Sequence, residues 1–219
     1  RGIFMQKGVA NTVIGCAAFM ALVVGLTANR ILSPAVMTQA QMSEQGLFVY
    51  DVPRRFADFK LTDHNNQPFT KAWLQGHWTL VFFGYTTCPD VCPTTMASIN
   101  QFHKLLNEAD TVAGANLQVA LVTVDPMRDT PEKLGAYVQY FGKDYVGATG
   151  EYIEIFNLAH QLNIAFGYLP GKNETDYEVT HSGEIALINP EGDFQGFFKS
   201  PADPQKMLVT FRSVLEARK

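Results

Sequence analysis

Cysteine and charge are both scarce in this sequence. Three cysteines in 219 residues are too few for a disulfide scaffold, and the odd number leaves at least one of them unpaired. Charged residues make up only 17% of the chain and the formal net charge is −4, so the basic surplus of a nucleic-acid-binding protein is missing. Hydrophobic residues reach 47%, which excludes intrinsic disorder for the whole chain and supports one domain with a packed core.

Near the N-terminus, charge is absent over a long run. Residues 8–29 form an uncharged segment of 22 residues. As a helix this segment would span about 33 Å, and a bilayer hydrocarbon core is about 30 Å thick. We therefore expect a retained membrane anchor, with a buried core helix and a cleaved signal peptide as the alternatives. Residues 13–16 also resemble a loose bacterial lipobox, in which Cys16 would be lipidated.

Basic residues on either side of this run predict its orientation. Arg1 and Lys7 precede the run, whereas Arg30 follows it and the next basic residue is Arg54. This bias favours an N-terminus inside the cell and the bulk of the chain outside. The first 30 residues carry a charge of +3, so the total of −4 leaves −7 for the remainder. Such an acidic remainder suits a cationic ligand or partner, or serves solubility alone.

The rest of the chain divides into a linker and a folded domain. Because residues 31–50 show no convincing periodic element, we expect an anchor with its flank over 1–32, a linker with some short local structure over 33–50 and a domain over 51–219. The patterns within the domain predict a strand at 56–61 in a hairpin, buried strands at 78–84 and 117–124, helices over 93–109, 130–141, 151–163 and 203–217, and a hairpin over 184–198. This order predicts an α/β domain of thioredoxin-like fold, whose ligands bind at the carboxyl ends of the parallel strands.

Two of the cysteines stand at such a strand end. Cys88 and Cys92 follow the strand 78–84, and Pro93 at a first helical position would put Cys92 near the helix N-cap. A helix N-terminus lowers the pKa of a thiol placed there. The Cys-x3-Cys spacing lets both sulfurs bind one soft metal ion or form a disulfide. A static disulfide and two buried thiols are the alternatives without a functional role.

The residues around this pair resemble a known family. Residues 82–94 (FFGYTTCPDVCPT) are similar to the signature of the Sco/SenC family of membrane-anchored, thioredoxin-fold copper chaperones. Residues 124–131 (VDPMRDTP), 146–150 (VGATG) and 177–182 (YEVTHS) resemble further signatures of the family, and the resemblance covers residues 51–215 in order. Several spaced motifs together are more specific than the cysteine spacing alone.

The resemblance implies a site for one copper ion with Cys88, Cys92 and His181 as ligands. Two thiolates and an imidazole suit Cu(I) and can also hold Cu(II). The resemblance also implies a redox disulfide between Cys88 and Cys92 in the metal-free protein, and since copper needs both thiols, loading and disulfide formation exclude each other. Asp125 is a candidate for shaping the site without binding the metal itself. We interpret Asp129 as a residue that stabilises the turn between the strand and the next helix.

Other histidines and the surroundings of His181 carry less information. The polar stretch 170–183 around His181 predicts a loop that is mobile without metal. Thr87 and Thr180 depart from the family, which often has His and Asp at these positions. We interpret the remaining histidines as surface or packing residues: His64, His77, His103 and His160.

The function that the resemblance implies is a copper metallochaperone rather than an enzyme. Its partners would be the copper-bearing subunit of cytochrome c oxidase and other copper chaperones. We expect a single span in a bacterial inner membrane with the main domain in the periplasm, or alternatively a mitochondrial inner membrane with the domain in the intermembrane space. The alternative functions are a dedicated thiol–disulfide oxidoreductase that keeps the oxidase cysteines reduced, and a peroxiredoxin-like peroxidase. A zinc site is the alternative for the metal.

Overall fold

The computed structural model describes residues 12–25, 36–173 and 176–218. Residues 12–25 form a helix, α1, with exposed side chains. The predicted anchor over 8–29 extends beyond this helix at both ends, into positions outside the described residues. Within the described part of the chain, none of the helices combines the length and the apolar run needed to cross a membrane.

An eight-stranded mixed sheet organises the domain, and a separate two-stranded sheet lies outside it. The strands are β1 (Leu47–Arg54), β2 (Lys60–Asp63), β3 (Pro68–Thr70), β4 (Trp78–Gly84), β5 (Leu117–Thr123), β6 (Val146–Thr149), β7 (Phe166–Asn173), β8 (Asp176–His181), β9 (Ile185–Ile188) and β10 (Phe194–Phe198). The large sheet has the order β1-β10-β9-β4-β5-β6-β2-β3, and β7 pairs with β8 in the small one. The helices that follow α1 are α2 (Gln39–Glu44), α3 (Val91–Ala109), α4 (Thr111–Ala115), α5 (Pro131–Phe141), α6 (Tyr152–Gln161) and α7 (Pro204–Ala217), with a 3-10 turn at Lys71–Leu74.

Strand β4 is the centre of the large sheet. All its residues are buried, as expected of an apolar strand that is covered on both faces. It pairs in parallel with β5, which pairs in parallel with β6, whereas β9 runs antiparallel on its other side. The predicted parallel unit and closing antiparallel hairpin are thus confirmed, and so is the α/β class of the fold. Because β4 and β5 end at the same edge, the segments 85–90 and 124–129 that follow them meet there.

Local sequence signals explain the helices that frame this edge. In α3 the buried residues Met96, Ile99, Phe102 and Leu106 recur at helical spacing and face the core. Helix α5 begins at Pro131, and the Thr130 side chain accepts a hydrogen bond from the Lys133 backbone N–H. Both features agree with the sequence prediction.

Two predictions near the start of the domain differ from the structure. The sequence predicts a linker with some short local structure over 33–50. From residue 36 onward the segment contains the short helix α2, but also the start of β1, which pairs antiparallel with β10 at the sheet edge. An edge strand is covered unevenly, so β1 lacks the regular alternation that would have identified it. The strand expected at 56–61 begins only at Lys60, because Phe56 and Phe59 are buried by ring packing rather than by strand pairing.

The polar stretch 170–183 also differs from its prediction as a loop. Most of it belongs to the hairpin formed by β7 and β8. This hairpin pairs only with itself, and of its described side chains only that of Val179 is buried, so its sequence looks polar. His181 is the last residue of β8.

Candidate metal centre

The cysteines lie where β4 passes into α3. Helix α3 begins at Val91, two residues before the predicted start at Pro93. Cys92 is therefore the second residue of the helix and Pro93 the third. Cys92 is fully buried, whereas Cys88 in the preceding loop is half-buried. The backbone N–H of Cys92 donates to Cys88 Sγ at 3.4 Å, which turns the two side chains toward the same side. Both cysteines, and Cys16 in α1, are free thiols.

His181 approaches the cysteines from the hairpin. Its Nε2 lies 3.2 Å from Cys92 Sγ, and its Nδ1 lies 2.9 Å from the carbonyl oxygen of Ser182. Because a carbonyl oxygen can only accept, Nδ1 carries the proton and Nε2 of the neutral ring offers its lone pair to the thiol. The rings of Phe82 and Tyr85 stand edge-on to the imidazole, with centroids at 5.8 and 5.9 Å. The imidazole is thereby held in an aromatic pocket.

These three side chains form one group of donors. The ligand atoms of Cys88, Cys92 and His181 all lie within 4.8 Å of one another, so the group could hold a metal ion. The structure brings together the three residues that the sequence singled out. Their assignment as ligands, and the disulfide between Cys88 and Cys92, remain predictions.

Burial sets the protonation of the group. Desolvation, and to a smaller extent the hydrogen bond that the protonated Cys92 side chain makes with Cys88, raises the pKa of the Cys92 thiol well above its usual range. The sequence predicted the opposite direction from the helix N-terminus; burial of the sulfur outweighs that dipole. Desolvation also lowers the pKa of His181. At neutral pH Cys92 is therefore a thiol beside a neutral imidazole, and a metal ion must displace the thiol proton in order to bind.

Asp129 fixes the loop that carries Cys88. It is buried and accepts hydrogen bonds from the backbone N–H and the hydroxyl of Thr86, at 3.0 and 2.6 Å. It accepts a further bond from the Thr123 hydroxyl at 2.7 Å. The sequence interpretation as loop chemistry therefore missed its contact with the cysteine loop. The signal lay in the threonines at the ends of β4 and β5, which the topology brings to one edge.

Asp125 fixes the hairpin that carries His181. Its buried carboxylate accepts from the Tyr177 hydroxyl at 2.6 Å and from Arg128 Nε. The Arg128 guanidinium also donates to the Tyr177 carbonyl at 3.2 Å and lies 4.1 Å from the centroid of its ring. Arg128 and Tyr177 were missed by sequence reasoning, because nothing local shows that residues 49 positions apart are in contact.

Two further tyrosines join the hairpin to the strand ends. The Tyr85 hydroxyl donates to the Val179 carbonyl at 3.2 Å, and the Tyr168 hydroxyl donates to the Val124 carbonyl at 2.6 Å. Since the hairpin shares no ladder with the large sheet, side-chain contacts of this kind position His181.

The other histidines stand apart from the centre, as predicted. His64 Nδ1 accepts from the Gly147 backbone N–H, and His103 lies between the Tyr145 hydroxyl and the Gly114 carbonyl. His77 packs edge-on against a tryptophan ring, and His160 stacks on a phenylalanine. Within the described residues, none of these four joins a group that could hold a metal.

The fold and the site define a class of protein first. A thioredoxin-like α/β domain that brings two cysteines after a central strand together with a histidine from an adjoining hairpin has the donor set of a thiol-based metal or redox protein. The comparison with family models is more specific: residues 51–216 match the SCO1/SenC model. The chain belongs to the SCO1/SenC family.

Individual relatives agree with this assignment. A protein of Stutzerimonas stutzeri, named as a candidate copper-binding protein, is 34% identical over 170 residues, which cover 77% of this chain and 81% of the relative. The mitochondrial SCO2 homolog of Mus musculus is 33% identical over 161 residues, 73% of this chain, but the match spans only 62% of the mouse protein. The crystal structure of yeast Sco1 with copper bound superposes with a TM-score of 0.68 at 28% identity, covering 75% of this chain and 90% of the yeast chain.

Proposed function

We propose that this protein is a membrane-anchored copper metallochaperone that binds one copper ion through Cys88, Cys92 and His181. It delivers this ion to the copper-bearing subunit of cytochrome c oxidase during assembly. The observation that carries the proposal is the convergence of two sulfurs and one imidazole nitrogen within 4.8 Å. The copper-bound yeast relative, whose fold this chain shares, supports copper as the cargo.

The donor set explains the choice of ion. Two thiolates and an imidazole are soft ligands and few in number, which favours Cu(I) over harder cations, while the same set can accept Cu(II). Binding of Cu(I) displaces the proton of Cys92, whose pKa is raised by burial, and any proton on Cys88. Loading therefore releases protons and becomes weaker in acid.

Unequal exposure of the ligands suits transfer to another protein. Cys88 is half-buried and within reach of an incoming ligand, whereas Cys92 is enclosed by the fold. An acceptor thiolate or imidazole can replace Cys88 first and then draw the ion away from the deeper Cys92. His181 belongs to a hairpin outside the large sheet, so it can be released without breaking a sheet ladder.

A dedicated thiol–disulfide oxidoreductase is the second candidate, and the contact of Cys88 with Cys92 favours it. The Cys88 thiolate would attack a partner disulfide and form a mixed disulfide, with one partner sulfur leaving as a thiolate. The Cys92 thiolate would then attack Cys88 Sγ and release the second partner sulfur. The partner gains two electrons and its two thiolates take up two protons, while this protein ends with a Cys88–Cys92 disulfide. The raised pKa of Cys92 slows the second attack, because the thiolate is the nucleophile.

The anchor and its orientation belong to the same proposal. The uncharged run 8–29 and the basic residues before it support a single span with the N-terminus in the cytoplasm and the domain in the periplasm. The mitochondrial intermembrane space is the alternative compartment. Alkaline extraction of membranes tests the anchor. Accessibility of the domain to protease added to spheroplasts tests the orientation.

Copper binding by the reduced protein, measured under anaerobic conditions with a competing Cu(I) chelator, tests the ligand set. We expect one copper per chain. Cys88→Ser and Cys92→Ser should each lower the copper affinity by about 100-fold or more, because replacing even a residue that only hydrogen-bonds to a metal ligand lowers metal affinity by about 10–100-fold. His181→Ala should lose affinity as well, and His160→Ala and Cys16→Ser serve as matched controls. Stoichiometric copper binding that survives both Cys88→Ser and His181→Ala would refute the ligand set.

Two further measurements separate the rival functions. Competition between zinc and copper for the same reduced protein shows which ion the centre prefers. The rate at which the metal-free, reduced protein reduces a disulfide-bonded peptide that carries an oxidase-type cysteine pair tests the oxidoreductase. Rapid reduction with weak copper binding would favour the second candidate.

A further inference from the structure

A wide cleft lies beside the hairpin that carries His181. It has a volume of about 630 Å³ and opens between residues 54–56, the C-terminal half of α6 and the start of β7. Phe166, which lines this cleft, pairs across the hairpin with His181. The cleft therefore begins one strand away from the candidate metal centre.

The charge of the cleft is unusual for this domain. Arg54 and Arg55 line it, and none of the described residues that line it is acidic. Arg54 Nη1 donates only to neutral oxygens, those of Tyr50 and Asn163, each at 3.3 Å. Arg55 is 89% exposed in its side chain, and it meets the Asp193 carboxylate at the outer limit of an ion pair, 3.9 Å. Two weakly compensated cations thus stand together on a part of the chain with a net charge of −7.

The same cleft has an aromatic wall. Phe156 and Phe166 lie with their ring centroids 6.0 Å apart, and the His160 ring stacks on Phe156 at 6.4 Å. Phe156 is 40% exposed, so a ligand in the cleft could cover its ring. A concave site lined by both guanidinium groups and aromatic rings suits a ligand with both carboxylates and apolar side chains.

The backbone connects this cleft to the ligand histidine. Ala165 lines the cleft; its N–H donates to the Ser182 hydroxyl at 3.3 Å, and its carbonyl accepts from the Ser182 N–H at 2.8 Å. The Ser182 carbonyl in turn accepts from His181 Nδ1 at 2.9 Å. A molecule that presses on Ala165 and Phe166 therefore acts on the residue that orients the imidazole.

We propose that this cleft docks an extended, carboxylate-bearing segment of the partner protein with which the centre exchanges copper. The identity of the partner rests on the proposed function, but the binding of an acidic segment does not. The two guanidinium groups select for carboxylates. The aromatic wall accepts an apolar side chain of the same segment. A membrane surface is the less suitable occupant, because the aromatic rings beside the two arginines line a concave cleft.

Binding of a defined peptide to the reduced full-length protein in non-ionic detergent tests this inference. The probe is a capped hexapeptide of aspartate and glutamate with one phenylalanine and one tyrosine, and its control has asparagine and glutamine at the acidic positions. We expect saturable binding of the acidic probe only, with changes in the amide chemical shifts of Ala165, Phe166 and Ser182. Raising the salt concentration should weaken this binding.

Charge variants give the decisive comparison. Arg54→Glu/Arg55→Glu should weaken binding of the acidic probe about tenfold or more, since each exposed pair contributes modestly and reversal adds repulsion. Arg54→Gln/Arg55→Gln should give a smaller loss in the same direction, which covers the case in which charge reversal perturbs the fold. Lys206→Glu/Arg212→Glu changes the net charge equally on α7 and should leave binding unchanged.

Several outcomes would overturn the inference. The first is that the amide control peptide binds as tightly as the acidic probe. The second is that the α7 variant loses as much affinity for the probe as the Arg54/Arg55 variant. The third is that a millimolar concentration of the probe leaves the amide chemical shifts at the cleft unchanged. A fourth is binding of anionic phosphatidylglycerol vesicles through Arg54 and Arg55 in place of the peptide. Copper stoichiometry measured on the same samples separates the two proposals: peptide binding without copper binding refutes the proposed function alone, and the reverse result refutes the cleft alone.

Discussion

Removal of the Asp129 carboxylate should loosen the loop that carries Cys88. Asp129 accepts three hydrogen bonds, from the Thr86 N–H, the Thr86 hydroxyl and the Thr123 hydroxyl. Hydrogen bonds to a charged acceptor contribute about 1.5–3 kcal/mol each. Thr86 is half-buried and can regain water, whereas Thr123 is fully buried and its hydroxyl would lose its acceptor. We therefore expect Asp129→Ala to lower the free energy of unfolding by about 3–5 kcal/mol.

Urea unfolding of the reduced protein, followed by circular dichroism, measures this loss. Asp129→Asn keeps the shape and one acceptor oxygen, so its loss should be smaller, about 1–2 kcal/mol. Asp63→Ala is a matched control, because Asp63 is also buried and accepts two backbone hydrogen bonds at 2.8 Å, but in the turn between β2 and β3 at the far edge of the sheet. Both alanine variants should lose stability, and only Asp129→Ala should weaken Cu(I) binding, by about tenfold or more.

Two results would refute this reasoning. A loss of stability below about 1 kcal/mol in Asp129→Ala would show that the three hydrogen bonds do not hold the loop. Equal weakening of Cu(I) binding in Asp129→Ala and Asp63→Ala would show that the metal centre responds to global stability rather than to the position of Thr86.

Three further predictions concern the centre and its surroundings. Iodoacetamide should modify Cys88 well before Cys92, since Cys92 is fully buried and burial raises its pKa; peptide mapping by mass spectrometry checks this, and equal rates would contradict it. Gly84→Ala should cost about 1–3 kcal/mol of stability and weaken Cu(I) binding, because a Cβ there would lie 2.9 Å from the Phe82 ring and 3.0 Å from Cys92 Sγ; an unchanged melting temperature and Cu(I) affinity would argue against that packing. Burial lowers the pKa of His77 below 6.5, so the unfolded chain binds its proton first and stability is lost as the pH falls below about 6.5. His77→Gln should reduce that loss in urea titrations between about pH 7 and pH 5, and an identical pH dependence would disprove the contribution.

The sequence could predict the parts of the fold that depend on local pattern. The uninterrupted apolar run of β4 required a strand covered on both faces, and the periodic residues of α3 required a helix packed on it. Those two elements already place Cys88 and Cys92 at the functional edge of the sheet. His181 could be added only through the resemblance to a family, because its own surroundings in the sequence look like a polar loop.

What could not be predicted depends on contacts between distant residues. The edge strand β1 takes its place from pairing with β10, and no regular alternation marks it. Arg128 and Tyr177 meet only because the segment that follows β5 packs against the hairpin. The protonation of Cys92 likewise follows from burial in the assembled core, which reverses the direction expected from its place at a helix start.

The two halves of the centre are held in different ways, and this difference bears on exchange. The cysteines follow β4, which pairs along its length with β5 and β9, so moving them would disrupt the centre of the sheet. The histidine belongs to a hairpin outside that sheet, joined to it through individual side-chain contacts: the hydrogen bonds of Tyr85 and Tyr168 and the contacts of Tyr177 with Asp125 and Arg128. Neutral hydrogen bonds contribute about 0.5–1.5 kcal/mol each and those to the charged groups about 1.5–3 kcal/mol, but they are few, whereas a strand ladder adds a bond at nearly every residue. Displacement of the hairpin is therefore the least costly way to open the centre, and a partner docked beside Ala165 would act on the arm that moves most readily.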